Sequence, residues 1–351
     1  MNILFWNLRG IDNVDTHITL RNLFLTHKPL LIFIAEPMIE VSQIPAWYWQ
    51  SIGVLKLCVN DRHSLLPNLW AMWGRDINPS IIFVSSQCIV LEISFQQTTA
   101  YVAGIYTSTS YLSRRHLWVD LTRVIGMHHG LWLFYGNFNA VLGAHEKRGR
   151  WPPPSLSCTD FLHWSNVNLL SHLPSFGSFF TLSNGRLGLE NVALRLDREI
   201  CNIDWLNIWQ RTTCSSLVRH HSDHHPLLIS VEGLNVRNAV PFKFFKTWTS
   251  HEDCRRLVLE VWSKRVCGSG MVRLQLKLKN LKNAFKTWNR TTFGDVDRQV
   301  CMAVDEVNRI QHLIDTNGIS DNLYAQDLEA QLLLTKAWIV QDTLWKEKAR
   351  N

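Results

Sequence analysis

The chain has 351 residues, 46% of them hydrophobic and 19% charged, which is long enough and apolar enough to bury a sizeable core with an appendage. Its formal net charge of +7 and pI near 9.0 suit a polyanionic partner, while its eight cysteines, never closer than 13 residues, form no Cys-x-x-Cys metal or redox pair and read as buried thiols in a reducing compartment. No run reaches about 18 uninterrupted apolar residues, and Met1 to Asn7 lacks the basic-then-apolar order of a signal peptide, so neither a spanning helix nor a secretory leader is expected.

Ile3 to Trp6 predicts a short apolar strand that ends in the polar cluster Asn7-Leu8-Arg9-Gly10. Leu20 to Leu25 is helical in pattern and leads through Lys28-Pro29 into Leu30 to Ala35, a continuous apolar run of the kind that forms a fully buried strand. Glu36 stands at its tip. A carboxylate there needs a metal, a basic partner or solvent, because an unpaired buried charge is costly.

Leu69 to Trp73, Ser80 to Val84, Ile89 to Phe95 and Ala100 to Tyr106 predict a β-rich stretch with Gly, Pro and Asn between the runs. Tyr106 ends the last of these, and Arg114-Arg115-His116-Leu117-Trp118 opens an amphipathic helix to about Ile125. Leu131 to Tyr135 is then a core strand that stops at Gly136-Asn137-Phe138-Asn139. Gly136 lets the chain bend, and in a strand Asn137 and Asn139 project to one side. The same composition also makes a plain turn.

After Pro152-Pro153-Pro154 a helix is expected over Asp160 to Leu170, then a strand and hairpin turn over Phe179 to Arg186, with Arg195-Leu196-Asp197-Arg198 beyond. His220, His221, His224 and His225 flank Ser222-Asp223 and suggest a metal at first sight. No second His or Cys cluster completes a tetrahedral zinc shell, so an acidic residue beside a cationic phosphate ligand is the preferred reading.

Beyond Gly233 the pattern turns helical. Phe242 to Trp248 leads to a helix over Glu252 to Trp262. Met271, Leu274, Leu278, Leu281, Phe285 and Trp288, and then Val296, Val300, Ala303, Val307, Ile310 and Ile314, alternate spacings of three and four as two coiled-coil-like seams with Gly294 between them. A third helix is expected over Leu323 to Lys346. Arg273, Lys277, Lys279, Lys282 and Lys286 form either a nucleic-acid face or a solvated one.

The segments at 2–10 (Asn-Ile-Leu-Phe-Trp-Asn-Leu-Arg-Gly), 136–140 (Gly-Asn-Phe-Asn-Ala), 146–147 (Glu-Lys), 180–186 (Phe-Thr-Leu-Ser-Asn-Gly-Arg), 195–198 (Arg-Leu-Asp-Arg) and 222–226 (Ser-Asp-His-His-Pro) occur in an order that resembles the endonuclease/exonuclease/phosphatase superfamily. Within it the resemblance is to the apurinic-type endonuclease of plant LINE (non-LTR) retrotransposons, and it runs the length of the chain. It implies an α/β fold, a four-layered α/β sandwich over residues 1–232, followed by an all-α helical connector over residues 233–351, a region that in the family leads to a reverse transcriptase.

The resemblance further implies phosphodiester hydrolysis of DNA with Mg²⁺ or Mn²⁺ and no small-molecule cofactor or membrane partner. Glu36 would be the principal metal ligand with Asn7 and Asp223 close by, Asp197 would orient His224 toward the scissile phosphate, and Asn139 and Tyr106 would contact phosphate and transition state. Arg114, Arg115 and Arg186 are candidates for DNA phosphate, although Arg114 or Arg115 could equally pair with acids. A nuclear location is expected only from the DNA substrate.

One departure bears on activity. The family has Asp where this chain has Asn137, and a neutral amide cannot accept a proton from the attacking water at neutral pH. The loop from Asn60 to Leu69 and the pair Gly149-Arg150 depart in smaller ways from the family's glycine pairs. The expectation is therefore a site that is built but impaired, with an inert relic or a nucleic-acid-binding protein as the alternative, and a phosphatase on small phosphate esters or lipids as a third reading.

Overall fold

The computed structural model describes residues 1–231, 248–249, 252–267, 269–291 and 296–349. The expected boundary at 232/233, the run Phe242 to Thr247, Gly294 and the side chain of Lys286 lie outside what is described. The first elements are β1 (Asn2–Asn7), α1 (Val14–His27), β2 (Leu31–Ala35), α2 (Ala46–Ser51), β3 (Lys56–Val59) and β4 (Leu69–Trp73). They are followed by β5 (Ser80–Val84), β6 (Cys88–Phe95), β7 (Thr98–Tyr106), α3 (Tyr111–Met127), β8 (Leu131–Asn137), β9 (Lys147–Arg148) and α4 (Ser155–Val167). Next come β10 (Leu170–His172), β11 (Ser175–Phe176), β12 (Leu182–Ser183), β13 (Ala193–Leu194), β14 (Asp197–Asn202), α5 (Ile203–Ile208), β15 (Thr212–Ser216) and β16 (Leu227–Val231). The tail is α6 (Glu252–Ser263), α7 (Gly270–Thr291), α8 (Val296–Asn317) and α9 (Asp321–Ala349).

The strands form a seven-stranded sheet in the order β11-β15-β16-β1-β2-β4-β3, a six-stranded sheet in the order β10-β14-β8-β7-β6-β5, and a three-stranded sheet β12-β13-β9. The continuous apolar runs follow from burial on both faces. In β1, Ile3 and Phe5 point between the large sheets, where they meet Phe33, Leu91, Val102 and Tyr135, while Leu4 and Trp6 point outward onto Leu20 and Leu23 of α1 and Trp49 of α2. In β8, Leu133 and Tyr135 share the inter-sheet core, while Trp132 and Phe134 lie in the outer core with Trp118 of α3 and Phe161 and Trp164 of α4. Period-two alternation thus feeds two cores from each strand, and helix, sheet, sheet and helix make four layers.

Helix α1 begins well before Leu20 because Asn13 caps it, its side chain accepting from Thr16 N at 2.7 Å. The strand expected across Phe179 to Arg186 is reduced to β12, held between β13 and an isolated bridge from Leu182 to His224. Strands β3, β9 to β11 and β13 to β16 were not anticipated.

The contacts divide the chain into Met1–Leu234 with Asn308–Leu328, and Asn235–Val307 with Glu329–Asn351. In the first unit, the end of α8 and the start of α9 sit on the sandwich. Arg148 donates to the carbonyls of Ile314, at 2.7 Å, and Asp315, capping the helix end, and lies over the Phe180 ring. Ser178 bonds the Asp315 carboxylate, Gln311 donates to Arg219 O at 3.1 Å, and Arg219 pairs with Asp327 at 3.5 Å. In the second unit, Trp248, Cys254, Phe285 and Trp288 form a small core. The α7 seam is buried only at that end: Met271, Leu274 and Leu278 are exposed, whereas Val296, Val300, Val307, Ile310 and Ile314 of α8 are buried. No described helix is long and apolar enough to cross a membrane.

Candidate active site

Strand register collects the predicted residues at one rim of the two large sheets. β1 and β2 run parallel with Asn7 opposite Ala35, so Glu36 emerges one residue beyond. β7 and β8 run parallel with Tyr106 opposite Asn137, and antiparallel β14 brings Asp197 opposite Asn137 from the other side. Residues distant in sequence share a rim because their strands end together.

Around Glu36 the geometry is closely specified. Its Oε1 accepts from Asn7 Nδ2 at 2.8 Å and from the Tyr106 hydroxyl at 2.7 Å, and its backbone N–H is tied to Asn68 O at 2.9 Å. Burial, followed by the Glu36 charge, raises the Tyr106 pKa, so the phenol keeps its proton and donates. Oε2 faces Arg9 Nε at 3.5 Å, and the same guanidinium pairs through Nη1 with Asp223. Arg9, Glu36 and Asn139 all adopt left-handed backbone conformations, with φ of 50, 51 and 43°. Such conformations in non-glycine residues cost energy and concentrate at functional sites.

His224 is buried, and its Nδ1 lies 2.6 Å from Asp197 Oδ2. Burial alone would lower the imidazole pKa, but Asp197, then Asp223 and Glu36, outweigh it and raise the pKa above the ordinary value. Such an imidazole is a ready cation with Nε2 left for a ligand. Its neighbours hold it in place: Ser222 Oγ accepts from His224 N at 3.0 Å and donates to Asn7 O at 2.7 Å, joining the His224 loop to β1. Thr181 Oγ1 accepts from Leu196 N at 3.0 Å and Asp197 N at 2.9 Å. Thr181 was missed as a positioning residue; its only sequence signal was a hydroxyl inside an otherwise aromatic run.

The two asparagines differ in task. Asn137 is buried and its Oδ1 accepts from Asn139 N at 2.8 Å, while Asn139 Nδ2 donates to Thr107 O at 2.7 Å. With Oδ1 so committed, Asn137 presents an N–H donor at the position where an aspartate would carry its second oxygen. Thr107 completes the frame through Oγ1 to Phe138 O at 2.6 Å and N to Asn137 O at 3.0 Å.

Arg114 is buried, and its guanidinium donates to the carbonyls of Ser108 at 2.7 Å and Thr109 at 2.9 Å and to Ser157 Oγ at 2.5 Å. It braces the loop that carries Thr107 and is not accessible to a nucleic acid. Arg115 makes a two-pronged pair with Asp160, its Nε lying 2.7 Å from Oδ2, on the α3–α4 surface. Arg186 is exposed on the loop after β12, 3.5 Å from Glu190. Glu146 of the Glu-Lys motif is buried against Arg198 at 2.6 Å; burial works against its ionisation, but Arg198 prevails and lowers its pKa.

The four histidines diverge. His220 meets Thr19 Oγ1 at 3.1 Å, His221 lies 3.8 Å from Asp15, and His225, lowered to about 3 by burial, bonds Leu217 O at 2.8 Å. Among the described residues no three His, Cys, Asp or Glu side chains converge as a metal cage. The donors at Glu36 nevertheless fit a hard divalent ion. Glu36 Oε2 and Asp223 meet at a resident cation, Arg9, and Asp223 Oδ1 is buried without a hydrogen-bond partner. Mg²⁺ is commonly held by one or two carboxylates, with water and substrate phosphate completing its shell.

No family model and no curated protein matches the sequence. Among solved structures, the fold matches the endonuclease domain of TRAS1, a telomere-specific non-LTR retrotransposon, at 13% identity over 67% of this chain and 99% of that one, with a TM-score of 0.50. It also matches an AP endonuclease from Archaeoglobus fulgidus at 12% identity over 66% of this chain and 100% of that one, again with a TM-score of 0.50. At these identities the likeness is one of fold.

Proposed function

We propose that this chain is a metal-dependent phosphodiesterase that nicks DNA, of the kind carried by LINE-type retroelements, and that Asn137 holds its activity down. The observation that carries the reading is the buried Asp197–His224 pair, 2.6 Å apart, on the same rim as the Asn7–Glu36–Tyr106 cluster. A cation-ready imidazole beside oxygen donors suits a phosphoryl group, which is anionic and gains charge on its equatorial oxygens during displacement. The net charge of +7 suits a polyanionic substrate, and a nuclear site of action would follow from it.

Glu36, Asp223 and the Asn7 amide oxygen would hold Mg²⁺ or Mn²⁺, which when bound polarises a phosphoryl oxygen and neutralises charge. His224, kept protonated and oriented by Asp197, donates to a non-bridging phosphate oxygen. Asn139 and Tyr106 flank it: Tyr106 fixes Glu36 through its proton, and the Asn139 amide lies beside the position that the phosphate would take. Asn137 is where a base for the attacking water belongs, and an amide cannot take that proton. Water attack then proceeds without general-base assistance, a loss of about 10²–10⁴ in rate.

The test is nicking of supercoiled plasmid with Mg²⁺ by the wild-type protein and by Asn137→Asp. The carboxylate is expected to raise nicking by about 10²–10⁴ with little change in DNA affinity, and the gain is expected to vanish in Asn137→Asp/His224→Ala, since such groups act as a unit. Background nicking by Asn137→Asp despite intact metal binding would favour the second reading, an inert relic that retains a nucleic-acid surface, which the amide at position 137 also supports. Parallel assays on inositol phosphates separate out a small-ester phosphatase.

A further inference from the structure

The sequence places an arginine, Arg9, two residues after Asn7, and the fold sets its half-exposed side chain across the Glu36–Asp223 pair at the rim. Its backbone is held in a left-handed turn with φ of 50°, fastened on both sides by Leu8 N to Ala35 O and Gly10 N to Glu36 O, each at 2.9 Å. From there the guanidinium bridges Asp223 and Glu36 Oε2. The other Glu36 oxygen is already committed to Asn7 and Tyr106, so Arg9 sits on the one Glu36 oxygen that faces the pocket.

We infer that Arg9 is a resident counter-cation that occupies the Glu36–Asp223 pair in the metal-free protein and must turn away before a divalent ion can use those oxygens. The inference rests on the reading of this pair as the metal site. Two carboxylates and one guanidinium carry a net charge of −1, and adding a divalent ion without moving the arginine would bring it to +1 with two cations in contact. Exchange of one cation for the other avoids that repulsion. The Arg9 side chain is 54% exposed, so it has a solvent-side position to move to without disturbing the core. Once displaced, it stays tethered at the rim, where a phosphate can receive it. The consequence is a competition: the divalent ion sees only the fraction of molecules in which Arg9 is turned out, and its apparent affinity falls by that fraction.

Removing the competitor therefore tightens metal binding even though it removes no ligand. The experiment measures Mn²⁺ binding by calorimetry and by electron paramagnetic resonance in wild type, Arg9→Ala and Glu36→Ala, with thermal melting in EDTA and in Mn²⁺ as a second readout. Arg9→Ala is expected to bind Mn²⁺ about tenfold more tightly, corresponding to a bound-arginine fraction of roughly nine-tenths. It is also expected to melt lower than wild type in EDTA, where the carboxylates face each other unneutralised, and to gain more from Mn²⁺. Glu36→Ala is expected to abolish binding. Unchanged or weaker Mn²⁺ affinity in Arg9→Ala, with binding still lost in Glu36→Ala, overturns the inference and leaves the metal-site reading standing. Mn²⁺ affinity that is indifferent to Glu36→Ala, or absent from all three proteins, overturns the metal-site reading and the inference with it.

Discussion

Glu199 lies one residue beyond Arg198 in β14, fully buried between the large sheets, and burial raises its carboxyl to about 7 from an ordinary 4.5. An unfolded chain ionises this group from about 4.5 upward while the folded chain stays protonated, so folding binds a proton across that window and stability falls as pH rises from about 4.5 to 7. The displacement corresponds to ~3 kcal/mol at full ionisation of the unfolded state. Glu199→Gln keeps the shape without the titration. Its melting temperature is expected to equal or trail that of wild type at pH 4.5 and to exceed it at pH 8, and parallel pH profiles for the two proteins would refute the assignment. The sequence concealed Glu199 because a charged residue normally marks a solvent-facing position, and nothing in Asp-Arg-Glu-Ile-Cys-Asn signals that the strand is buried. Glu36 and Asn137 were legible for the opposite reason: each follows a continuous apolar run, and a polar group at the end of such a run has few structural purposes. Arg114 misled because an arginine at a helix start reads as exposed, whereas here it serves the carbonyls of the preceding loop.

At the scale of elements, β8 carries the site. Gly136, with φ of 145°, is pressed so closely on β7 that an added Cβ would lie 2.1 Å from Ile105 O. That contact is with backbone, which cannot move aside without unpairing β7 from β8, and the left-handed φ adds strain of its own. Gly136→Ala is expected to cost at least ~2 kcal/mol by denaturant unfolding and to displace Asn137 from its bond with Asn139. A loss under about 0.5 kcal/mol would show that the strand end is loose. The strands that sequence alone identified, β1, β2 and β4 to β8, are apolar on both faces or alternate cleanly. Most of those it missed are short or polar: β14 buries the ionisable Arg198 and Glu199, and β13 has two residues whose strand character comes from its pairing with β12 and β9. Pairing partners, unlike periodicity, are not written locally.

Across the whole molecule, the helical tail does not end where the sandwich begins, because Asn308–Leu328 packs within the first unit. The heptad pattern announced helices but not this docking, which depends on polar contacts that carry no periodic signal. Arg219 shows the route to the site: Nη1 donates to Ser183 O at 3.1 Å and Nη2 meets Asp327 at 3.5 Å, while Ser183 N bonds the Asp223 carbonyl at 3.0 Å. Ser178, bonded to Asp315, precedes Phe180 and Thr181, the latter anchoring Asp197. A chain ending at residue 231 retains every described strand and is expected to unfold cooperatively, but without these partners Arg148 and Arg219 lose charge-assisted bonds worth ~1.5–3 kcal/mol each. At ~2–4 °C per kcal/mol for a domain of this size, the melting temperature should fall by several degrees. Loosening of the loop from Ser178 to Ser183 should also weaken the Asp197–His224 bond, and the raised imidazole pKa of His224, followed by NMR titration, should move down toward its ordinary value. An unchanged melting temperature together with an unchanged His224 titration would show that the docked helix tip contributes nothing to the site; a fall in melting temperature alone would confine its role to stability.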